Sequence, residues 1–334
     1  MRRRLILLPL MGALILGMGC RTRMLRRDAI EPIESRMALE QLVESRVIND
    51  AVEEACRRAI AAHPEAELDM DHIWAAAIDA TDPNLPLFGH WHGNELVYPA
   101  SAIKTVFMVH VYQRVVDGDL RLSRRVRRLL RDMIRVSSNI ATQDIVDLLT
   151  GTTNGPRIDQ PAAYAAWVSR RNATNRLMRT CGFSRMNANQ KTWDELPAED
   201  SVELQFLGAD HPMGYANGNR LTAVENAQLL WLIDQDLIVS PRACAHMRRL
   251  LHRGGDEDAY GDERIRIGKG VPPEAEVWSK AGSTDRWFHD AATVALPDGR
   301  RLVLTVYTDM PWREGLDREA VLATWATEMM NLVR

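Results

Sequence analysis

The sequence predicts an α/β (α+β) sandwich in which a mainly antiparallel sheet of about five strands is flanked by helices. Three observations lead to it. Apolar, β-rich stretches occupy 73–79 and 85–98 and return at 276–283, 291–296 and 302–308; amphipathic helical spacing fills much of the chain between them; and Pro297, Asp298 and Gly299 turn the last two stretches into a hairpin. Strands at both ends of a largely helical chain bring those ends back to one sheet.

With 46% hydrophobic and 26% charged residues, the 334-residue chain has ordinary globular composition, which excludes disorder, collagen and a polytopic membrane protein. A net charge of −3 gives no basic excess for nucleic acid. Only four of the 42 basic residues are lysine: Lys104, Lys191, Lys269 and Lys280. In a chain so biased towards arginine, a retained lysine marks a position where an always-charged guanidinium would fail, as it would for a proton-accepting amine.

Residues 1–20 read as a secretory signal: three arginines, an apolar run of about 14 residues, short of the ~20 that span a membrane, then Gly19 and Cys20. Residues 16–20 resemble the lipobox of bacterial lipoproteins. That implies lipidation at Cys20 and export to the periplasm or a membrane anchor. Residues 21–66 form a linker and an amphipathic helix over 33–62, and 67–334 the main domain. A turn at 81–84 joins the first two strands. A largely apolar helix begins near Ser101, and a second carries Leu122, Val126, Leu129, Leu130 and Met133 on one face with Arg124, Arg125, Arg127, Arg128 and Arg131 on the other, a solvated face by default. A third helix covers 139–149 and a loop 151–160. Residues 192–219 read as a long irregular loop, Thr222 and Glu225 as a capping box, and 318–332 as the closing helix. Cys56, Cys181 and Cys244 show no CxxC spacing and read as small buried hydrophobes, although one disulfide pair is open to them.

Ser101 and Lys104 are three apart at a helix start, which places the lysine ~60° round and ~4.5 Å along the axis, on nearly the same face. A lysine desolvated in a pocket can lose its proton and serve as base to a serine nucleophile, and a helix amino terminus favours developing negative charge. Ser137, Ser138 and Asn139 stand at a corner between two helices, and Lys280, Ala281, Gly282, Ser283 and Thr284 lie ahead of the hairpin. His289 beside Asp290 does not make a Ser-His-Asp triad, because neighbours on a strand point to opposite faces. His90 and His92 fit a turn better than a metal site.

Together, and in this order, the three groups resemble the active-site motifs of the penicillin-recognising serine hydrolases, most closely the class A β-lactamases. The wording matches around them: VYPASAIK at 97–104, MIRVSSNIAT at 133–142 and VWSKAGSTDRWFHD at 277–290. The resemblance implies a β-lactamase/transpeptidase-like fold without cofactor or metal, in which Ser101 is acylated, Lys104 is its base and Ser137 protonates the leaving nitrogen. It further implies that Asn139 holds the substrate amide, that Lys280 sets the field around Ser137 and the substrate carboxylate, that the Ser101 and Ser283 N–H groups form the oxyanion hole, and that Gly282 lets substrate lie along the strand edge. Ala281 departs from the usual threonine, leaving the carboxylate to Ser283, Thr284 or Arg286. Ser138 stands where Asp is common. The resemblance also implies a deacylating glutamate on a long loop, which residues 193–196 resemble; Glu195 is taken as the catalytic candidate, Asp194 is the alternative, and a carboxylate at neither position would leave an acylating but slowly turning-over protein. The substrate implied is a β-lactam or, for a D-alanyl-D-alanine peptidase or penicillin-binding relative, a peptidoglycan stem peptide. A non-catalytic surface lipoprotein is the third reading. A monomer is expected.

Overall fold

Residues 73–79 read IWAAAID and the first six are buried, so the strand they form presents apolar side chains on both faces and needs a covering layer on each. The computed structural model describes residues 28–211, 214–254 and 263–333, and supplies both layers. The signal and lipobox reading at 1–20 falls outside these residues.

In chain order the elements are α1 (Pro32–Leu39), β1 (Val43–Glu44), α2 (Arg46–Ala62), β2 (Ile73–Asp79), β3 (Leu87–Trp91), α3 (Lys104–Asp117), α4 (Arg124–Ile134), α5 (Asn139–Thr150), α6 (Pro161–Arg171), α7 (Ala173–Thr180), α8 (Val202–Leu207), β4 (Asp210–His211), β5 (Gly214–Tyr215), α9 (Ala223–Asp234), α10 (Pro241–Leu251), β6 (His252–Arg253), β7 (Glu276–Ser279), β8 (Gly282–Ser283), β9 (Trp287–Ala295), β10 (Arg301–Asp309) and α11 (Arg318–Leu332). The main sheet has eight strands in the order β1-β3-β2-β10-β9-β7-β6, with β8 paired to β9. All its pairs are antiparallel except β1 with β3, so the sheet is mixed and larger than the five strands expected. The three extra strands have two residues each, too short to show alternation in a sequence.

Trp74, Ala76 and Ile78 face one core with Val106, Phe107, Leu130, Ile145, Leu230 and Met247, from α3, α4, α5, α9 and α10. Ile73, Ala75 and Ala77 face the other, with Val52 and Cys56 of α2 and Trp325 and Met329 of α11. Helices α2 and α11 therefore share a layer, and α1, through Ala38, joins the helices from the middle of the chain in the opposite one.

Several local expectations need correction. The helix expected over 33–62 is two, α1 and α2, because Val43 and Glu44 pair with Leu87 and Phe88 and the Ser45 hydroxyl then caps α2 by accepting from Ile48 N. Thr222 Oγ1 accepts from Glu225 N at 2.9 Å, but the Glu225 carboxylate accepts from Arg185 N, so only half the capping box forms. The three cysteines are free and buried, and burial pushes each thiol up to about 12.

The segment 192–219 is not irregular throughout. It contains α8 and the small β4–β5 ladder, and a buried cluster fastens it. Glu203 on α8 takes both terminal nitrogens of Arg171, which also donates to Thr152 Oγ1 at 2.8 Å and lies 4.4 Å over the Trp167 ring. Lys191 joins the cluster through Asp147 at 2.6 Å and Glu203 at 3.5 Å, which accounts for one lysine outside the motifs. Both partners of the Arg171–Glu203 pair are fully buried, and removing one leaves an uncompensated charge. Glu203→Ala should therefore cost about 3–5 kcal/mol in urea unfolding, and Arg171→Met/Glu203→Leu much less. Equal losses in the two variants would contradict this account of the cluster.

Candidate active site

Ser101 lies in the 3₁₀ turn Ala100–Ile103 that leads into α3, and Lys104 opens that helix. The turn is pressed against the sheet through β8. A Cβ on Gly282 would meet Pro99 O at 2.6 Å, Ala102 N at 2.8 Å and Ser101 N at 2.9 Å, so only glycine lets the strand pass. The absent side chain of Gly282 thus serves the close approach of β8 to the nucleophile's backbone. His289 on β9 braces the same turn. Its Nδ1 accepts from Thr308 N at 3.1 Å, so its proton sits on Nε2, which donates to Tyr98 O at 2.9 Å. Burial drives this imidazole down to about 3. It is a neutral strut, and Asp290 points to the other face, where it accepts from Ile267 N and Ala291 N.

The Lys104 side chain is fully buried, and its Nζ has three partners: Ser137 O at 2.6 Å, Asn139 Oδ1 at 2.8 Å and Ser137 Oγ at 3.2 Å. None is Ser101, contrary to the direct contact that the helical spacing suggested. Burial brings the Lys104 amine down to about 7, against the opposing pull of Asp194. Nζ donates to all three oxygens, so loss of its proton frees a lone pair among the same partners.

That hydroxyl is held from the other side by Lys280, whose Nζ donates to Ser137 Oγ at 3.0 Å and to Ala281 O at 2.7 Å. Lys280 is buried, not an edge-strand charge, and burial, with Lys104 next, lowers it well below the ordinary lysine range. Ser137 takes up this bridging place with φ of 57°, a left-handed conformation that costs a non-glycine residue roughly 1–3 kcal/mol. The corner is fixed by Ser138, whose N donates to Asp132 O and whose hydroxyl caps α5 by accepting from Ala141 N.

Asn139 links the base to the long segment. Its Oδ1 takes Lys104 and its Nδ2 donates to Asp194 Oδ1 at 2.7 Å, leaving one N–H for any other acceptor. Asp194 is therefore the carboxylate at the site. Glu195 is exposed, as Asp194 is, and has no described hydrogen bond or ion pair. The Thr284 hydroxyl accepts from Arg286 N and Trp287 N and shapes the β8–β9 turn, with its own proton free of these two bonds. Arg286 pairs with Asp309, which leaves Ser283 exposed at the strand edge.

Two buried arginines were not singled out from the sequence. Arg253 on β6 donates to Ile134 O and Ser279 O, both at 3.1 Å, and so ties the end of α4 to the strand before Lys280. Arg266 donates to Gly282 O at 2.7 Å and to His289 O, and stacks on Phe288. Each holds backbone that carries a site residue. Nothing in a sequence with 38 arginines distinguishes them.

The profile of the Beta-lactamase enzyme family matches residues 73–331, a span that contains all of these residues. The chain belongs to that family. The fold agrees with solved members of the wider group at low identity. The class A β-lactamase of the last common ancestor of Gram-negative bacteria aligns with TM-score 0.61 and 17% identity over 84% of this chain and 99% of its own. A β-lactamase from Xanthomonas campestris pv. campestris aligns with 0.58 and 17% over 86% and 100%, and PBP-A with 0.56 and 17% over 84% and 94%. No curated protein matches the chain.

An unfolded lysine keeps its proton up to about 10.4, whereas Lys104 releases it near 7, so between those values the unfolded chain binds more protons and stability rises with pH. Lys104→Met should therefore raise the melting temperature, more at pH 6 than at pH 9, while lowering the rate of Ser101 labelling by at least about 10³. A variant that is destabilised at pH 6, or still labelled rapidly, would contradict the buried amine's assigned state.

Proposed function

We propose that this protein is an exported serine acyl hydrolase that opens β-lactams through an acyl-enzyme on Ser101. The observation that carries the reading is the Ser137 hydroxyl held between two buried, low-pKa lysines, at 3.2 Å from Lys104 and 3.0 Å from Lys280. Such a relay can take a proton from one atom and deliver it to another without exposing a charge to the interior.

In acylation, neutral Lys104 receives the Ser101 hydroxyl proton as Oγ attacks the lactam carbonyl carbon. The oxyanion that forms meets the Ser101 and Ser283 N–H groups. As the C–N bond breaks, the nitrogen takes the Ser137 proton, and Ser137 is replenished from Lys104. Substrate binding must draw Ser101 and Lys104 together, since no hydrogen bond joins them here; such contacts often tighten only with substrate bound. In deacylation Asp194 accepts a proton from water, which attacks the ester carbonyl; as the ester C–O bond breaks that proton is returned to Ser101 Oγ, so Ser101 leaves as the alcohol and Asp194 is again a carboxylate. Lys280 supplies the positive potential for the substrate carboxylate, and Ser283 its hydroxyl in place of the one lost at Ala281. Export, with lipidation at Cys20, places the enzyme where such substrates occur.

A second reading follows from the same carboxylate. Asp194 is engaged by Asn139 at 2.7 Å and is short, an arrangement that slows water activation and favours a long-lived adduct, as in a D-alanyl-D-alanine peptidase. A mutant of the fold neighbour PBP-A has been solved as an acyl-enzyme complex with penicillin G.

Intact-mass spectrometry after mixing with a penicillin separates the readings. The β-lactamase reading expects a transient adduct on the protein, none on Ser101→Ala, rapid nitrocefin turnover, and accumulation of adduct in Asp194→Asn with turnover lowered at least about 10²-fold. Glu195→Gln should behave as the parent. A stable parent adduct favours the peptidase, and no adduct at all removes both. The acylation rate should rise with pH through a midpoint near 7, where Lys104 becomes unprotonated.

A further inference from the structure

The arginine face of α4 has no part in this chemistry, and the fold gives it a larger context. Helices α4 and α10 pack together and between them hold eight arginines and a single carboxylate, Asp132, in a chain of net charge −3. Asp144 and Asp236 reach in from neighbouring segments to Arg125 and Arg248. The five α4 arginines, Arg242 and Arg249 are exposed; the Arg128 side chain keeps 77% of its accessible surface. The two helices form one basic surface. His246 on α10 is lowered by burial and then by Arg249, Arg242 and Arg127, which converge on it from both helices, and Arg135 donates to Arg249 O at 3.2 Å across their far ends.

The chain's amino-terminal path leads to the same surface. Ile30 N donates to Val239 O, one residue before the Ser240 cap of α10 and three before Arg242. Seven residues lie between Cys20 and Asp28, and the eight steps from one to the other reach about 28 Å when extended. Four of the intervening residues are Arg21, Arg23, Arg26 and Arg27. A lipid on Cys20 would thus hold the α4/α10 face within that distance of a bilayer, with its tether equally basic.

We infer that the joint arginine face of α4 and α10 docks on an anionic phospholipid surface. The occupant follows from three features: dense positive charge with few local carboxylates, exposure of the guanidinium groups, and exit of the tether beside Arg242. A basic face held this close to an anionic leaflet is drawn to it within about a Debye length, so it decides which side of the tethered domain meets the bilayer. Because α4 runs into the corner at 137–139, docking sets the active site beside the membrane. The lipidated state is the export reading above, but the basic face is tested independently of it and of β-lactam hydrolysis.

The test is sedimentation of the full-length chain with vesicles of phosphatidylcholine alone or with three parts in ten phosphatidylglycerol, at low salt and at 0.5 M NaCl. The leader's apolar run binds both kinds of vesicle, so the ratio is the readout. We expect at least tenfold tighter binding to the phosphatidylglycerol vesicles, lost at high salt. Arg124→Glu/Arg127→Glu/Arg128→Glu should abolish most of that preference, since each arginine near such a surface contributes roughly fivefold. Its labelling at Ser101 by a fluorescent penicillin or fluorophosphonate and its circular dichroism should match the parent, which separates lost docking from lost folding. Equal binding to both vesicles would overturn the inference. So would a preference that survives in the triple variant, which assigns it to the tether, or binding to soluble heparin without any vesicle preference.

Discussion

Lys104 and Lys280 lie within hydrogen-bond reach of the same hydroxyl, Ser137 Oγ, and two ammonium groups in so small a buried volume are costly enough that at least one amine sheds its proton. Desolvation is the largest cause for both, and their mutual repulsion adds to it at Lys280. The consequence is a neutral amine at ordinary pH beside a hydroxyl that can pass a proton on. An arginine at either position would stay charged, because its guanidinium does not deprotonate in this range. The scarcity of lysine is thus a physical statement: two of four lysines sit where the ability to be neutral is required, Lys191 is in a buried ion cluster and Lys269 pairs with Glu319 at the surface.

Keeping these groups together costs stability elsewhere in the chain, and the sheet supplies the restraint. Ala100 and Ser137 both hold left-handed backbone, on either side of the site. The first is braced by His289 through Tyr98 O and by the contact of β8 at Gly282; the second by Arg253, the α4 end and the Ser138 cap. Sheet strands β6 to β9 and the paired helices α4 and α5 thereby form one rigid frame, and the long segment with Asp194 closes onto it through Asn139 and the Arg171–Glu203 cluster.

Most of the fold was legible because the long elements have clear periods. The strand at 73–79 and the helix at 318–332 stand where the sequence put them, and the Ser101, Ser137 and Lys280 motifs do converge. The misses share a cause: they depend on contacts distant in sequence. Strand β1 is recognisable only by its partners Leu87 and Phe88, and Arg253 and Arg266 are two arginines among many until the carbonyls they hold are known. The contact of Asp194 with Asn139 and the crossing of the Ser101 turn over Gly282 were hidden for the same reason, since neither a pair of adjacent carboxylates nor a glycine in a strand motif reveals its neighbours.

The central claim is the protonation state of the buried amines, and the small lysine count makes it directly measurable. Lysine labelled with ¹³C at Cε should give four resonances, assigned by Lys104→Arg and Lys280→Arg. The account predicts that Lys104 titrates near 7, that Lys280 titrates well below ordinary lysine, and that Lys269 titrates above it through its pairing with Glu319. If the Lys104 and Lys280 resonances both titrate at 10 or above, the neutral relay does not exist and the proposed acylation chemistry fails with it.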